Sequence, residues 1–433
     1  MTSPAAAAAA PPEVSHARIE VGATIAGLDV AELTERYGSP LYVYDAGVIR
    51  HRVARLRSAL PATVDIAFAV KANPSPAVLS TLRSTGVGAD VASGGELRAV
   101  LRAGFDPEWI VFTGPGKTDA ELEAALRARI GTLTIESLDE LEVVIDLAAV
   151  AEPGQGLMLR LATSGAAEER PVIGGAGSAK FGLTDEEADA ALDRLVATGL
   201  LGGSGPYVLR GCHAFGASNL LDAGALVGGV VDLAARAERL ASRHGLVLEL
   251  IDAGGGLGIP YADDDVELDL DALAQGLEQE LATWASRDGL RRARLLLEPG
   301  RWLVGPAGAY VCRVTRTKPR QGRVIAVTDG GIHHLMRPRL VGQDHRVQPL
   351  GAASTRPIDA RMDVVGPLCT GLDILASDVP APVPQTGDLL AVLDAGAYGY
   401  SESMPLFLSH PIPAEIVVDG GQLTVSRERI EPD

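Results

Sequence analysis

The chain has 433 residues, a formal net charge of −18, 47% hydrophobic residues and three cysteines. That length exceeds what one small core organises, so two domains are expected, and the negative balance excludes the basic surface that nucleic acid or an anionic membrane requires. Cys212, Cys312 and Cys369 are far apart, odd in number and without metal-type pairing, which excludes a disulfide scaffold and suits free thiols in a reducing cytoplasm.

The chain starts Met1-Thr2-Ser3-Pro4, then six alanines and two prolines, with no basic n-region and no branched apolar residue. Residues 1–16 are expected to be a disordered tail, not a signal peptide. No apolar run reaches the length of a membrane span, so a cytoplasmic protein without membrane contact is expected.

From about residue 45 to 301, short apolar runs alternate with helix-period segments. Predicted strands cover 64–70, 88–92, 109–113, 132–135, 157–161, 207–212, 248–251 and 294–297. Segments such as 119–129, 138–147, 184–198 and 226–244 carry apolar residues at helical spacing. Eight strands, most followed by a helix, over this length predict an α/β fold, a (β/α)8 barrel; a doubly wound sheet is the alternative. Beyond Pro299 the stretches 304–316, 323–328, 362–365, 388–392 and 414–418 are β-rich and divided by Gly/Pro turns. They predict a second, all-β C-terminal domain, assigned to residues 302–433 together with 17–44, which include Leu41-Tyr42-Val43-Tyr44.

Chemistry in such a barrel collects at the C-terminal ends of the strands. Those ends read Lys71, Asp90, Thr113, Glu136, Arg160, His213, Asp252 and Glu298. Lys71 ends the apolar run that opens at Val64, a position where desolvation lowers an amine's pKa and frees it to attack a carbonyl. Gly254-Gly255-Gly256 follows the seventh strand, where backbone N–H groups can approach a phosphate closely. Gly116-Lys117-Thr118 is not a nucleotide P-loop, because Val111 stands where its first glycine belongs. At Glu298-Pro299-Gly300-Arg301 a carboxylate can hold the proton of a ring nitrogen, and Arg301 can grip phosphate or carboxylate with a bidentate fork. A Schiff-base lysine, a phosphate cradle and a strand-end glutamate describe a pyridoxal 5'-phosphate (PLP) site.

The motifs resemble those of the fold-type III PLP decarboxylases, the group that includes diaminopimelate and ornithine decarboxylases. They are Phe68-Ala69-Val70-Lys71-Ala72-Asn73, Ala89-Asp90-Val91-Ala92-Ser93-Gly94-Gly95-Glu96-Leu97, Ser178-Ala179-Lys180-Phe181-Gly182, Asp252-Ala253-Gly254-Gly255-Gly256, Glu298-Pro299-Gly300-Arg301, Gly366-Pro367-Leu368-Cys369 and Gly396-Ala397-Tyr398-Gly399. The resemblance runs from about residue 20 to 425. It implies that Lys71 carries PLP, that Glu298 keeps the pyridine nitrogen protonated, and that Gly254, Gly255, Gly256, Ser218, Arg301 and Tyr398 surround the phosphate. Asp90, Arg160, His213, Phe215 and Gly300 complete the implied cofactor site, and Arg301, Arg337, Thr370 and Tyr398 the substrate site. It also implies a homodimer with shared active sites, in which Cys369 enters from the second subunit as a catalytic residue.

The chain departs from the family pattern where substrate is read. Phe215 in His213-Ala214-Phe215-Gly216-Ala217-Ser218 stands where the family stacks a histidine on the ring, although His213 faces the same side of the strand. After Cys369, Thr370 replaces the acidic residue that grips the distal amine of a diamino acid, with Asp373 and Glu402 as possible substitutes. In Met336-Arg337-Pro338-Arg339-Leu340-Val341, Val341 replaces the tyrosine of diaminopimelate decarboxylases. The stretch 399–415 is more similar to a natural-product branch with carrier-protein-linked glutamate decarboxylases and exosortase-associated homologues. The expectation is therefore a biosynthetic PLP α-decarboxylase of a small amino acid, free or bound to a carrier protein, and not of a diamino acid. Diaminopimelate decarboxylase of lysine biosynthesis is the alternative. An amino-acid racemase is disfavoured by Glu298, since racemases of this fold set an arginine against the ring nitrogen. A non-catalytic relative is disfavoured because lysine and glycines are both kept.

Overall fold

The computed structural model describes residues 17–163, 180–202, 205–262 and 264–432. The expected N-terminal tail, together with Ser178 and Ala179 of the 178–182 motif, lies outside the described residues.

Eight parallel strands close into a barrel: Val64–Ala69, Gly88–Val91, Ile110–Phe112, Thr132–Ile135, Gln155–Arg160, Tyr207–His213, Leu250–Asp252 and Arg294–Leu297, the last pairing with the first. Inside it Ala67, Val111, Met158 and Leu296 pack as a small apolar cluster of their own. The outward residues of the same strands, such as Phe68, Ile110, Phe112, Leu133 and Leu157, join the large core under the helices. Strand residues alternate between faces, so stepping by two from Val111, Met158 and Leu296 reaches Thr113, Arg160 and Glu298. The register agrees: Asp90 sits opposite Ala69 and Val111, while His213 sits between Arg160 and Asp252. Convergence of the strand-end residues on one mouth is thus a consequence of pleat and register.

The helices between strands follow ordinary capping chemistry. Thr118 and Thr184 form capping boxes with Glu121 and Glu187 at the starts of Asp119–Ala128 and Asp185–Thr198. Gly199 and Gly245, both in the left-handed region, end Asp185–Thr198 and Ala223–His244.

The second sheet is built around Gly308–Arg320, which pairs antiparallel with Leu41–Asp45; that strand in turn runs parallel to Ala414–Asp419. The strand expected from residue 304 begins only at Gly308. Arg301–Val304 is a helical turn and Gly305–Ala307 a 3-10 turn, and Pro306 has no N–H to give a ladder. Strands Val347–Leu350, Ile374–Ala381 and Gln422–Arg427 were not expected from the sequence. Pro380 is tolerated in Ile374–Ala381 because that strand lies at a sheet edge. Among the described residues no helix is long and apolar enough to cross a membrane.

The sheet domain reaches the barrel mouth through the loop after Leu389–Val392. Tyr398 N–H donates to the Ala72 carbonyl at 2.8 Å, and Asn73 Nδ2 donates to the Gly396 carbonyl at 2.9 Å. The turn carrying Lys71 is therefore clamped by both domains.

Candidate active site

Lys71 lies in a 3-10 turn, Val70–Ala72, directly after the first barrel strand. Its Nζ donates to Asp90 Oδ2 at 2.7 Å, and Asp90 Oδ1 accepts from Thr113 Oγ1 at 2.6 Å. The expectation of a depressed lysine pKa is corrected here. Burial does pull it down, but the charges of Asp90, Glu298 and Tyr398 outweigh burial and hold the ammonium above its usual range. The site holds Lys71 as a cation aimed by Asp90, whose own pKa burial and Glu298 push up.

Across the same cavity Glu298 Oε2 lies 3.6 Å from His213 Nε2. Burial opposes the Glu298 charge, yet His213 and Lys71 bring its pKa down to about 2. Asp252 is pushed well above the carboxylate range, first by burial and then by Glu298. The two carboxyl groups are thus pushed apart, Asp252 toward its neutral form and Glu298 toward its charged form. Asp252 Oδ1 accepts from Gly254 N–H at 2.9 Å, whereas Asp252 Oδ2, Glu298 Oε1 and His213 Nδ1 are buried without a partner. The donor atoms of His213, Asp252 and Glu298 lie within 4.8 Å of one another, a spacing a metal ion also accepts. The amine and the anion cradle that share this cavity fit a charged aromatic cofactor better.

The cradle forms on the glycine run. Gly256 has φ +98°, and a Cβ there would stand 2.8 Å from the Ala217 carbonyl; one at Gly255 would stand 2.6 Å from the Glu298 carbonyl. Only glycine lets this backbone lie so close to its neighbours. Arg301 Nη1 donates to Tyr261 Oη at 2.9 Å and Nη2 to Ser218 Oγ at 3.4 Å, while its guanidinium stacks 4.6 Å from the Tyr398 ring centre. Phe215, Ser218, Gly255, Gly300 and Tyr398 line the cavity with Lys71 and Glu298. These residues fit PLP: an orphaned carboxylate oxygen for the ring nitrogen, a flat aromatic wall, an amine, and an arginine with glycine backbone for phosphate.

Other expected site residues lie elsewhere. Arg160 Nη1 donates to both oxygens of Glu136, at 2.8 and 2.9 Å, and its guanidinium covers Phe181 at 4.6 Å. It sits at the mouth but outside the cavity lining. Cys369 is exposed and Thr370 half-buried, and neither lines the cavity of its own chain. Asp373 is buried and accepts from the backbone N–H of Ile332 at 2.8 Å and of Leu368 at 2.7 Å, so its carboxylate is spent shaping the Cys369 loop.

Arg337 is 2% exposed, with its guanidinium 3.5 Å over the Tyr261 ring. It contacts His345 Nε2 at 3.2 Å and donates to Gln343 Oε1 at 3.1 Å, and its Nε has no partner. Burial pulls its pKa down to about 10. Arg339 is paired with Asp344 and contributes no free charge. The sequence reading missed Tyr261, which joins Arg301 to Arg337; its place just after the glycine run was the available signal. It also left Asp252 out of the site.

The comparisons with known proteins agree with this geometry. Residues 46–305 match the family model described as pyridoxal-dependent decarboxylase, pyridoxal binding domain. A diaminopimelate decarboxylase of Methanothermobacter thermautotrophicus is 35% identical, over 94% of this chain and 92% of that protein. An L-glutamyl-[BtrI acyl-carrier protein] decarboxylase of Niallia circulans is 30% identical over 93% and 94%. The crystal structure of Helicobacter pylori diaminopimelate decarboxylase complexed with L-lysine superposes with a TM-score of 0.81 at 27% identity, over 93% and 97% of the two chains. The chain belongs to the pyridoxal-dependent decarboxylases of the diaminopimelate and ornithine decarboxylase family, and PLP is its cofactor.

Proposed function

We propose that this enzyme removes the α-carboxyl group of an amino acid whose side chain ends in a carboxylate, with Arg337 holding that far end. The carrying observation is Arg337 itself. A buried guanidinium whose partners are a neutral amide and a histidine, with a free Nε, is a costly arrangement unless an anion completes it.

In the reaction the bond from Cα to the carboxyl carbon breaks, CO2 leaves, and a proton is added at Cα. PLP, when bound, supplies the electron sink for the pair left behind. Lys71 would anchor it, Arg301 and Ser218 would grip its phosphate, and Glu298, with Asp252 beside it pushed toward its neutral form, would keep the ring nitrogen protonated. Cys369 of a second copy delivers the proton to Cα. The exposure of Cys369, together with exposed Leu372, Leu406, Phe407 and Leu408, supports a homodimer in which that loop is covered.

A second reading, glutamate tethered to a carrier protein, is favoured by the neutral Thr370 and by the Niallia circulans relative. Incubating the holoenzyme with diaminopimelate, free glutamate and carrier-bound glutamate while measuring CO2 separates the two. Turnover of a free substrate supports the first reading. Turnover of only the tethered one replaces it with the second.

A further inference from the structure

Asn219 follows Ser218 and lines the cavity of Lys71 and Glu298. Its φ of +55° lies in the left-handed region, which asparagine tolerates better than most residues with a side chain. From that conformation its Oδ1 accepts from the Ile259 N–H at 3.0 Å. Asn219 belongs to the loop after the barrel strand Tyr207–His213, and Ile259 to the loop after Leu250–Asp252. One side chain thus ties the loop of Ser218 to the loop of the glycine run.

The backbone around Asn219 closes the same seam. Leu220 N–H donates to the Gly256 carbonyl at 2.8 Å, and Gly258 N–H to the Leu220 carbonyl at 2.9 Å. The loops meet so closely that a Cβ at Gly258 would stand 2.7 Å from the Asn219 carbonyl carbon. Ser218 stands on one side of the seam and Gly255, Gly256 and Leu257 on the other, and all four line the cavity. Among the described residues the N–H groups of Gly255 and Gly256 donate to no protein atom, which leaves them open to an anion. An anion shared between Ser218 and those N–H groups is gripped well only if the two loops hold their separation to within about 0.5 Å.

We propose that Asn219 is a positioning residue for the cofactor. It fixes the spacing between Ser218 and the free N–H groups of the glycine run, and so sets how tightly the PLP phosphate is held. The residue type follows from two demands met at once, a left-handed backbone and a side-chain acceptor that reaches the neighbouring loop. Glycine meets the first alone, and alanine meets neither. The inference rests on the placing of the phosphate at Ser218 and Arg301 above, and it is independent of which amino acid is decarboxylated.

The test compares PLP with pyridoxal, the same aldehyde without its phosphate. The apparent Kd of each is read from the loss of aldimine absorbance as the loaded enzyme is diluted. Wild type should favour PLP by about a hundredfold or more, because only PLP uses the cradle. Asn219→Gly keeps the left-handed backbone and removes Oδ1, and it should shrink that preference about tenfold through PLP alone. Asn219→Ala, in which backbone strain adds to the lost bond, should shrink it further. Asn219→Ser repeats the comparison if either variant folds poorly. A general structural role would weaken PLP and pyridoxal by the same factor and leave their ratio unchanged, which would overturn the inference, as would variants with wild-type Kd for both. Neither readout involves CO2. A shrunken ratio in an enzyme that releases none would sink only the decarboxylase reading, and an unchanged ratio with full turnover would sink only the role of Asn219.

Discussion

The ring-nitrogen end of the site and the end proposed to meet the substrate come from different parts of the chain. At the ring-nitrogen end, Glu298, Asp252 and His213 come from adjacent barrel strands and are almost completely buried. Burial and Glu298 raise the Asp252 pKa, while His213 and Lys71 lower that of Glu298. Arg337, proposed to meet the substrate, lies outside the cavity lining, opens the short helix Arg337–Val341 of the sheet domain, and touches Tyr261, the partner of Arg301. Both ends keep buried polar atoms unpartnered, Asp252 Oδ2, Glu298 Oε1 and His213 Nδ1 at the first and Arg337 Nε at the second. The first set lies where electron-sink chemistry needs a fixed charge, and the second where selection between similar amino acids is proposed.

Breaking the first end should have the largest effect. Lys71→Ala should abolish turnover and leave no cofactor fixed after borohydride reduction; covalent trapping in that variant would refute the assignment. Glu298→Gln should still bind PLP yet lose about 10²–10³-fold in kcat, because the protonated ring matters more in the transition state than in the ground state. Near-wild-type kcat would remove the electron-sink argument.

The substrate end should respond differently. Mixing Lys71→Ala with Cys369→Ala subunits should restore about a quarter of the sites under random pairing, since one site in each mixed dimer keeps both groups. No recovery in verified heterodimers would count against a shared site. Arg337→Gln should act mainly on KM, lowering kcat/KM about tenfold to a hundredfold through loss of a charged hydrogen bond. An equal fall in kcat with unchanged KM would place Arg337 in the chemistry instead.

The smallest effect concerns stability. Burial lowers the pKa of His333 to about 4 and that of His334 to about 2, and carries His345 well below its ordinary value. The unfolded chain takes up protons near pH 6.5 that the folded chain refuses, so stability is complete above that pH and declines as it falls toward 4. Thermal melts should show Tm dropping across this window, and His333→Asn should flatten the slope. A Tm independent of pH there would contradict the buried neutral histidines.

The sequence displayed the first end better than the second for a physical reason. Apolar runs with turn residues reveal strands, and the pleat then carries Lys71, Asp90, His213 and Glu298 to one face. Loops follow no such period. Tyr261 reaches Arg301 and Arg337 only through tertiary packing, and Asp373 is revealed as a backbone clamp only by its partners. The direction of the Lys71 shift was misread because burial was weighed without Asp90 and Glu298 opposite it. Val347–Leu350 and Ile374–Ala381, each interrupted by proline, lacked the pattern that marks the barrel strands.

The most direct test follows CO2 release and α-proton exchange together, using purified holoenzyme and an amino acid with a distal carboxylate. The account predicts stoichiometric CO2 with one solvent proton incorporated at Cα, lost in Lys71→Ala and strongly reduced in Glu298→Gln. Exchange of the α-proton or inversion at Cα without CO2 would contradict it and return the protein to the racemases.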